Sequence, residues 1–277
     1  MTETLFKIIL ERKILRSHNS MQKKIIIANW KMNFGVEDSV KFARKLLSLL
    51  KNKSPKDDVV ICSSFTTLDK LGKILKKSKI SLGAQNVGEA ASGTWTGEVS
   101  ALMLKEVGCE YVICGHSERR EKLNETDEQV NAKIKLVMAT GMTPILCVGE
   151  TRDERNKKMT NKKVSSQIKK CLDGVVVKSN QKIIAAYEPI WSISDGKHPS
   201  VTPTAKEIED VHKLIFKILI DKYSSDVVKK SFRVIYGASL HSKNINEIFA
   251  SEYVQGGLVG GASLKVDEFF KMIMRGC

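Results

Sequence analysis

A single carboxylate follows an apolar run at the start of the stretch AAYEPIWSISDGK, residues 185–197. The run IIAA at 183–186 predicts a buried parallel strand that stops just before Glu188. Pro189 fixes its own backbone and restrains the residue before it, so we expect a stiff turn to aim the Glu188 carboxylate. A carboxylate aimed in this way can remove a proton as a general base. Taken alone, the stretch fits a solvated glutamate in a surface loop equally well.

The residues after Glu188 have the composition of a lid. Ile190, Trp191 and Ile193 give this segment an apolar middle, and Asp195-Gly196 gives it a flexible far end. A rigid hinge followed by these features would allow the segment to cover a bound substrate.

Other polar side chains also follow predicted strands. Asn29 and Lys31 come after the apolar residues IIIA, and a lysine at such a place can meet a phosphate or an enolate oxygen. His116 follows YVIC and Gly115 and begins a short helical turn. Because a helix N-terminus disfavours the imidazolium, we expect His116 to act as a neutral hydrogen-bond donor. A solvated lysine and a structural histidine are the alternatives when each residue is considered alone.

Anion-binding groups follow the last two predicted strands. Ser239 lies in YGASL at 236–240, and Gly260-Gly261 lies in GLVGGASLK at 257–265. The serine offers a hydroxyl, and the glycines offer backbone N–H groups at the start of the final helix. A lone pair of glycines is weak evidence, but phosphate sites after the last two strands recur in α/β barrels.

Alternating strands and helices must position these residues. Helical periodicity marks 40–50, 130–139 and 208–219, and Thr202-Pro203 resembles an N-cap followed by a first helical residue. Strands are predicted near 24–29, 57–62, 79–84, 110–115, 142–147, 182–187, 231–236 and 253–259. Eight such units predict an α/β fold with a closed parallel barrel, whose active site gathers where the strands end. An open doubly wound sheet is the alternative.

The hydrophobic content and the net charge limit the classes to which this protein can belong. The 277 residues are 42% hydrophobic, enough for a sizeable core, and contain no apolar run of the length that spans a membrane. The formal net charge is +15, but the lysines are scattered over helix faces with few aromatic residues beside them. We therefore expect solvated faces and no nucleic-acid or membrane partner, with a positive field that draws in an anionic substrate.

The six cysteines form no CxxC pair, and three of them lie inside apolar strands. Buried free thiols in a reducing cytoplasm are therefore expected, with neither disulfides nor a metal site. Cys147 is expected to pack and not to act as a nucleophile. Residues 1–20 precede a second methionine and predict a poorly ordered extension without a catalytic role.

Several strings together closely resemble the triosephosphate isomerase family. The resemblance spans about residues 23–275 and implies a (β/α)8 TIM barrel, with residues 21–277 as one catalytic domain. The strings are NWKMN at 29–33, TWTGE at 94–98, YVICGHSERR at 111–120, ILCVGET at 145–151, AAYEPIW at 185–191, YGASL at 236–240 and GLVGGASLK at 257–265.

The resemblance implies interconversion of dihydroxyacetone phosphate and glyceraldehyde 3-phosphate, in glycolysis and gluconeogenesis. Glu188 would be the base, Lys31 and His116 would stabilise the enediolate oxygens, and Asn29 would orient the substrate. Glu118 would lie between the lysine and the base. No metal or organic cofactor is implied. The phosphate would be held by Ser194 (through its backbone N–H), Ser239, Gly260 and Gly261.

The resemblance also implies a homodimer. Thr96, in the loop after the third strand, would touch the partner subunit near Asn29, with Gln85 and Asn86 at the interface. A plain solvent loop is the alternative. Two other functions remain as alternatives: another phosphosugar isomerase on the same barrel, and a non-catalytic barrel that serves as a binding protein.

Two departures from the family pattern lead to predictions. Phe216 and Gln255 stand where relatives often have an Arg–Asp ion pair, and we expect the two to lie close together without one. The segment between Lys197 and the next helix looks longer than usual. Tyr236, which latches the lid in relatives, is therefore expected to bond Ser200 or nothing local, while Ser239 still reaches the Gly196 region.

Overall fold

The computed structural model describes residues 23–193 and 202–275. In this part of the chain, eight parallel strands close into a barrel in sequence order, with β8 paired to β1. The strands are β1 Ile25–Asn29, β2 Asp58–Ser63, β3 Ile80–Ala84, β4 Tyr111–Cys114, β5 Thr143–Val148, β6 Ile183–Tyr187, β7 Phe232–Tyr236 and β8 Gly256–Val259. The predicted α/β barrel is confirmed.

Helices surround the barrel. They are α1 Val36–Leu50, α2 Phe65–Leu75, α3 Ala101–Glu106, α4 Ser117–Leu123, α5 Asp127–Ala139, α6 Arg152–Asn156, α7 Thr160–Cys171, α8 Ala205–Tyr223, α9 Ser225–Ser231, α10 Ile245–Ala250 and α11 Val266–Ile273. Short 3-10 turns cover Ile190–Ser192 after β6 and Gly261–Leu264 after β8. Every connection between consecutive strands contains at least one helix, and α11 follows β8, as the alternating sequence pattern predicts.

Alternation along the strands divides the core into two parts. In β1, Ile25 and Ile27 belong to the cluster inside the barrel, whereas Ile26 and Ala28 belong to the larger cluster under the helices. Both faces of the strands are therefore buried, which explains their nearly continuous apolar sequences. This double burial holds the strand ends, and the side chains that follow them, in fixed positions.

The predicted start of α8 at Thr202-Pro203 is wrong. Thr204 is the N-cap: its side chain accepts a hydrogen bond from the Glu207 backbone, and the Glu207 side chain accepts one from the Thr204 backbone. This reciprocal arrangement needs a Glu or Gln three residues after the cap. Thr202 has Ala205 at that position, whereas Thr204 has Glu207.

The contacts of Phe216 and Gln255 are now defined. Phe216 packs edge-on against Tyr253, with ring centroids 6.2 Å apart, and the Gln255 side chain accepts a hydrogen bond from the Val234 backbone at 2.8 Å. An apolar ring and an amide thus stand where relatives often carry two charges. Removing both members of a buried pair can be nearly neutral for stability. Their proximity to each other stays a prediction.

Some predictions fall on residues outside the described part of the chain. They concern the extension at 1–20, the Ser194 backbone N–H and the bond between Tyr236 and Ser200. No helix in the described part is long and apolar enough to cross a membrane. The five cysteines within it are free and buried, as predicted.

Candidate active site

The carboxyl ends of the strands surround a cavity of about 220 Å³. The structure brings together here the predicted residues Asn29, Lys31, His116, Glu188, Ser239, Gly260 and Gly261. They come from the ends of five different strands, and their positions in the sequence span more than two hundred residues. Because all strands of a parallel barrel end on the same face, one cavity can collect them.

Glu188 is almost completely buried, with 2% of its surface exposed. Its backbone N–H donates to the Val148 carbonyl at 2.8 Å, and its Oε2 accepts a hydrogen bond from the Ser117 backbone at 3.0 Å. Its Oε1 has no hydrogen-bond partner among the described residues and lies 3.3 Å from Nε2 of His116. One carboxylate oxygen is thus held by the protein, whereas the other makes no hydrogen bond within the described residues.

His116 is the N-cap of α4, as its place before Ser-Glu-Arg-Arg predicts. Its Nδ1 accepts a hydrogen bond from the Glu118 backbone at 3.2 Å, so Nδ1 carries a lone pair. The ring proton of the neutral imidazole is then on Nε2, the nitrogen nearer to Glu188. A neutral His116 in this tautomer would offer an N–H to the cavity, and its role as that donor stays a prediction.

Lys31 adopts a left-handed backbone conformation with φ of 51°, which is unusual for a residue with a side chain. Its backbone N–H donates to Oδ1 of Asn29 at 3.0 Å, so the asparagine helps to hold this conformation. Its ammonium forms an ion pair with Glu118 at 2.8 Å. Partial burial acts to raise the pKa of Glu118, but Lys31 outweighs it and the pKa lies below the usual value.

The segments after β7 and β8 form another part of the cavity wall. Gly260 lies against the end of the Lys31 side chain: a Cβ placed there would be 3.4 Å from the lysine Cε. The space beside Gly261 is open, and Gly261 begins a 3-10 turn. An anion could therefore approach these backbone groups and the Lys31 ammonium together.

The residues predicted at a subunit interface lie elsewhere. Thr96 is exposed in the loop after β3, beside Trp95, which is 47% exposed. The Gln85 side chain donates to the Cys62 carbonyl at 3.0 Å, and Asn86 accepts a hydrogen bond from Lys133 at 2.9 Å. Both residues thus support the end of β3 from within the chain.

Two residues behind Glu188 complete its surroundings. Cys147 is buried next to the carboxylate, and burial raises the pKa of its thiol well above the usual value, with Glu188 adding to the shift. A thiol that keeps its proton is a poor nucleophile, which supports the packing role expected for Cys147. Gly149 was missed by sequence reasoning: a Cβ there would lie 1.8 Å from the Glu188 carbonyl oxygen. Only glycine allows the two strand ends to approach so closely.

Replacing Gly149 with alanine is expected to lower kcat on the order of a hundredfold, because the added methyl group must push the Glu188 backbone away and ångström-scale misplacement has such costs. Steady-state kinetics, with circular dichroism to check folding, would measure the effect. Gly35→Ala is the matched control, since no atom lies within 4 Å of its added Cβ. A Gly149→Ala enzyme with normal kcat would contradict this role.

A family model described as triosephosphate isomerase matches residues 24–275. This chain belongs to the triosephosphate isomerase family. A triosephosphate isomerase from Chlorobium luteolum is 41% identical over 257 residues, covering 93% of this chain and 100% of the relative. Another, from Alkaliphilus metalliredigens, is 42% identical over 253 residues, covering 91% of this chain and 99% of the relative.

Comparison with solved structures also leads to the triosephosphate isomerase family. The crystal structure of triosephosphate isomerase from Bartonella henselae matches with a TM-score of 0.80 at 32% identity, over 92% of this chain and all of that chain. The resemblance seen in the sequence motifs is therefore confirmed, as is the (β/α)8 fold that it implies.

The cavity also contains residues that were not predicted to belong to the site. His241, Leu240, Leu258 and Ile193 line it together with the predicted set. His241 lies two residues after Ser239, so the loop position after β7 was a usable signal. Within the described residues, no group of three or more His, Cys, Asp or Glu side chains is placed to hold a metal ion.

Proposed function

We propose that this chain interconverts dihydroxyacetone phosphate and glyceraldehyde 3-phosphate by proton transfer. One observation carries the proposal: the unpartnered Oε1 of buried Glu188 lies 3.3 Å from Nε2 of His116, in the cavity that Lys31 also lines. A base, a neutral hydrogen-bond donor and a cation around one small space are what proton abstraction next to a carbonyl requires.

In the proposed reaction, Glu188 removes a proton from the carbon next to the carbonyl and becomes a carboxylic acid. The electron pair of the broken C–H bond forms an enediolate, whose oxygens are stabilised by the Lys31 ammonium and the Nε2–H of His116. The hydroxyl proton moves to the former carbonyl oxygen, beside the Nε2–H of His116, and Glu188 returns its proton to the neighbouring carbon, so that the former hydroxyl carbon becomes the new carbonyl. The substrate is rearranged without net oxidation, so the step needs no further reactant.

The remaining residues of the set bind and orient the substrate. Asn29 keeps the Lys31 backbone in place through its 3.0 Å contact, and Glu118 holds the lysine ammonium when no substrate is bound. Ser239, Gly260 and Gly261 bind the phosphate, with the Ser194 backbone N–H as a further donor. The net charge of +15 favours the approach of this dianionic substrate.

A coupled assay tests the proposal. Glyceraldehyde 3-phosphate is supplied, and the dihydroxyacetone phosphate formed is reduced by a dehydrogenase that oxidises NADH. The expected result is turnover that inorganic phosphate inhibits by competition. Turnover of a larger phosphosugar alone would favour another isomerase on the same barrel, and inactivity toward every substrate would favour a non-catalytic binding protein.

We propose further that residues 21–277 act as one catalytic domain in a cytoplasmic homodimer. Exposed apolar side chains support the dimer: Met32, next to Lys31 in the sequence, is 98% exposed, and Trp95, in the loop after β3, is 47% exposed. Covering both with a second subunit would remove apolar surface from water and brace the lysine. The buried free thiols support a reducing compartment.

Thr96→Arg is expected to weaken the dimer and to lower kcat together, since a long cation would replace a small side chain at the proposed contact. Light scattering after gel filtration measures the mass, and the coupled assay measures kcat over a dilution series. Ser179→Arg, in an exposed segment away from the β3 loop, is the control. A fully active monomer would refute the proposed bracing.

A further inference from the structure

Arg155, on the short helix α6, contacts two other elements at once. Its guanidinium lies over the ring of Trp191, with the central carbon 3.8 Å from the ring centroid. It also forms an ion pair with Glu207, in the first turn of α8. Neither contact belongs to the cavity described above, and no sequence motif pointed to this arginine.

Trp191 is held on its other sides as well. Its indole N–H donates to Glu150 at 2.8 Å, and Glu150 is completely buried and also accepts a hydrogen bond from the Tyr187 hydroxyl. The Trp191 carbonyl accepts a hydrogen bond from Arg152 at 3.0 Å. With Arg155 over the ring, Trp191 retains only 8% of its surface in solvent.

The two carboxylate oxygens of Glu207 bind different partners. Its Oε2 accepts hydrogen bonds from the backbone and hydroxyl of Thr204, both at 2.9 Å, and thereby starts α8. Its Oε1 binds Arg155. One arginine therefore fixes the turn after β6 and the beginning of α8 to the same point on α6.

The position of Trp191 is coupled to that of Glu188 through a short stretch of chain. Ser192 N–H donates to the Pro189 carbonyl at 2.8 Å, and Ile190 N–H donates to the Glu150 carbonyl at 3.1 Å. This turn begins directly at the residue after the base, and Pro189 allows it little freedom. A shift of the indole is therefore transmitted to the Glu188 backbone.

We propose that Arg155 is a positioning residue for Glu188, which acts by clamping Trp191 against Glu150 and joining this turn to the start of α8 through Glu207. The inference rests on the proposed function of Glu188 as the base. Arginine suits the role because its planar guanidinium can stack on an indole and bind a carboxylate at its edge, whereas lysine offers only a point charge.

The expected signature is a loss of rate with little loss of stability. The Arg155 and Glu207 side chains are 33% and 42% exposed, and ion pairs of such exposure contribute little to folding. A misplaced base, in contrast, slows the reaction itself. A merely structural residue would show the reverse, with a lower unfolding temperature and unchanged kinetics.

The test compares Arg155→Met, Arg155→Lys and Glu207→Gln with the wild-type enzyme. We expect kcat to fall about tenfold in Arg155→Met, with KM changed less than twofold and a small change in unfolding temperature. Arg155→Lys should not restore the rate, because it lacks the planar stack. Glu207→Gln keeps a side-chain oxygen for the Thr204 cap and should lose about threefold or less.

One further readout and one control variant separate this role from its alternatives. Near-ultraviolet circular dichroism should change in Arg155→Met, since the environment of the Trp191 ring is altered. Lys163→Met removes a neighbouring ion pair with Glu154, of 2.9 Å, and serves as the control with unchanged kinetics. Wild-type rates in Arg155→Met would overturn the inference, as would a loss confined to KM. An inactive wild-type enzyme would instead refute the proposed function.

Discussion

Replacing Glu188 with aspartate is expected to lower kcat on the order of a hundredfold or more, with little change in KM. The substitution keeps the charge and withdraws the carboxylate by one C–C bond, about 1.5 Å. The backbone cannot follow to compensate, because Glu188 N–H is bonded to Val148 and its carbonyl is packed on Gly149. Steady-state kinetics in both directions would measure the change.

The matched control is Glu121→Asp, the same chemical change on the exposed end of α4. It should leave kcat within about twofold, as surface substitutions do. An unchanged kcat in Glu188→Asp would remove Glu188 from the role of base. A loss in KM alone would assign it to substrate binding.

The largest expected effect on stability comes from Lys133→Met, which should lower the free energy of unfolding by about 3–5 kcal/mol. Lys133 and Glu125 are both buried and paired, and the Lys133 ammonium also donates to Asn86 at 2.9 Å. Glu125 Oε1 accepts a further hydrogen bond from Arg119 at 2.9 Å. Removing the lysine leaves the buried Glu125 carboxylate with Arg119 as its one partner. It also removes the hydrogen bond that Lys133 donates to the buried Asn86 amide.

Urea unfolding at pH 7 would measure this loss. Lys73→Met is the control, because it breaks an exposed pair with Asp69 of 2.7 Å on α2 and should cost less than about 1 kcal/mol. Equal losses in the two variants would show that burial does not set the strength of the Lys133 pair.

The same pair predicts a pH dependence. Burial acts to raise the pKa of Glu125, but Lys133 and then Arg119 outweigh it, so the pKa lies below the usual value in the folded protein. Glu125 therefore contributes stability above the ordinary carboxyl pKa, and this contribution is lost as the pH falls through the lower folded pKa. Lys133→Met should flatten this part of the acid unfolding curve.

Features that depend on residues close together in the sequence were predictable. Apolar runs of strand length, alternating with amphipathic helices, predicted the barrel, and the polar residues just after the strands predicted the cavity. The start of α8 was misplaced by two residues because Thr202-Pro203 satisfies the first positions of a helix, whereas Glu207 decides in favour of Thr204. A cap is selected by a partner three residues further on, and this must be checked at each candidate.

Other features depend on distances between residues far apart in the chain. Gly149 touches the Glu188 backbone, and Arg155 joins Trp191 to Glu207. Sequence periodicity places each residue on its element but says nothing about which atoms meet across neighbouring loops. Close approach and cross-element bridging therefore became visible only in the folded structure.

Because the core has two parts that each contain cysteines, thiol labelling can report the order in which those parts unfold. Cys62 and Cys147 lie within the barrel, while Cys109, Cys114 and Cys171 lie between the strands and the helices. A thiol reagent can reach the second group once a helix lifts away, but it reaches the first only when strands separate. The labelling rates of the two groups would then measure, in a single experiment, how fast the helices detach and how fast the barrel opens.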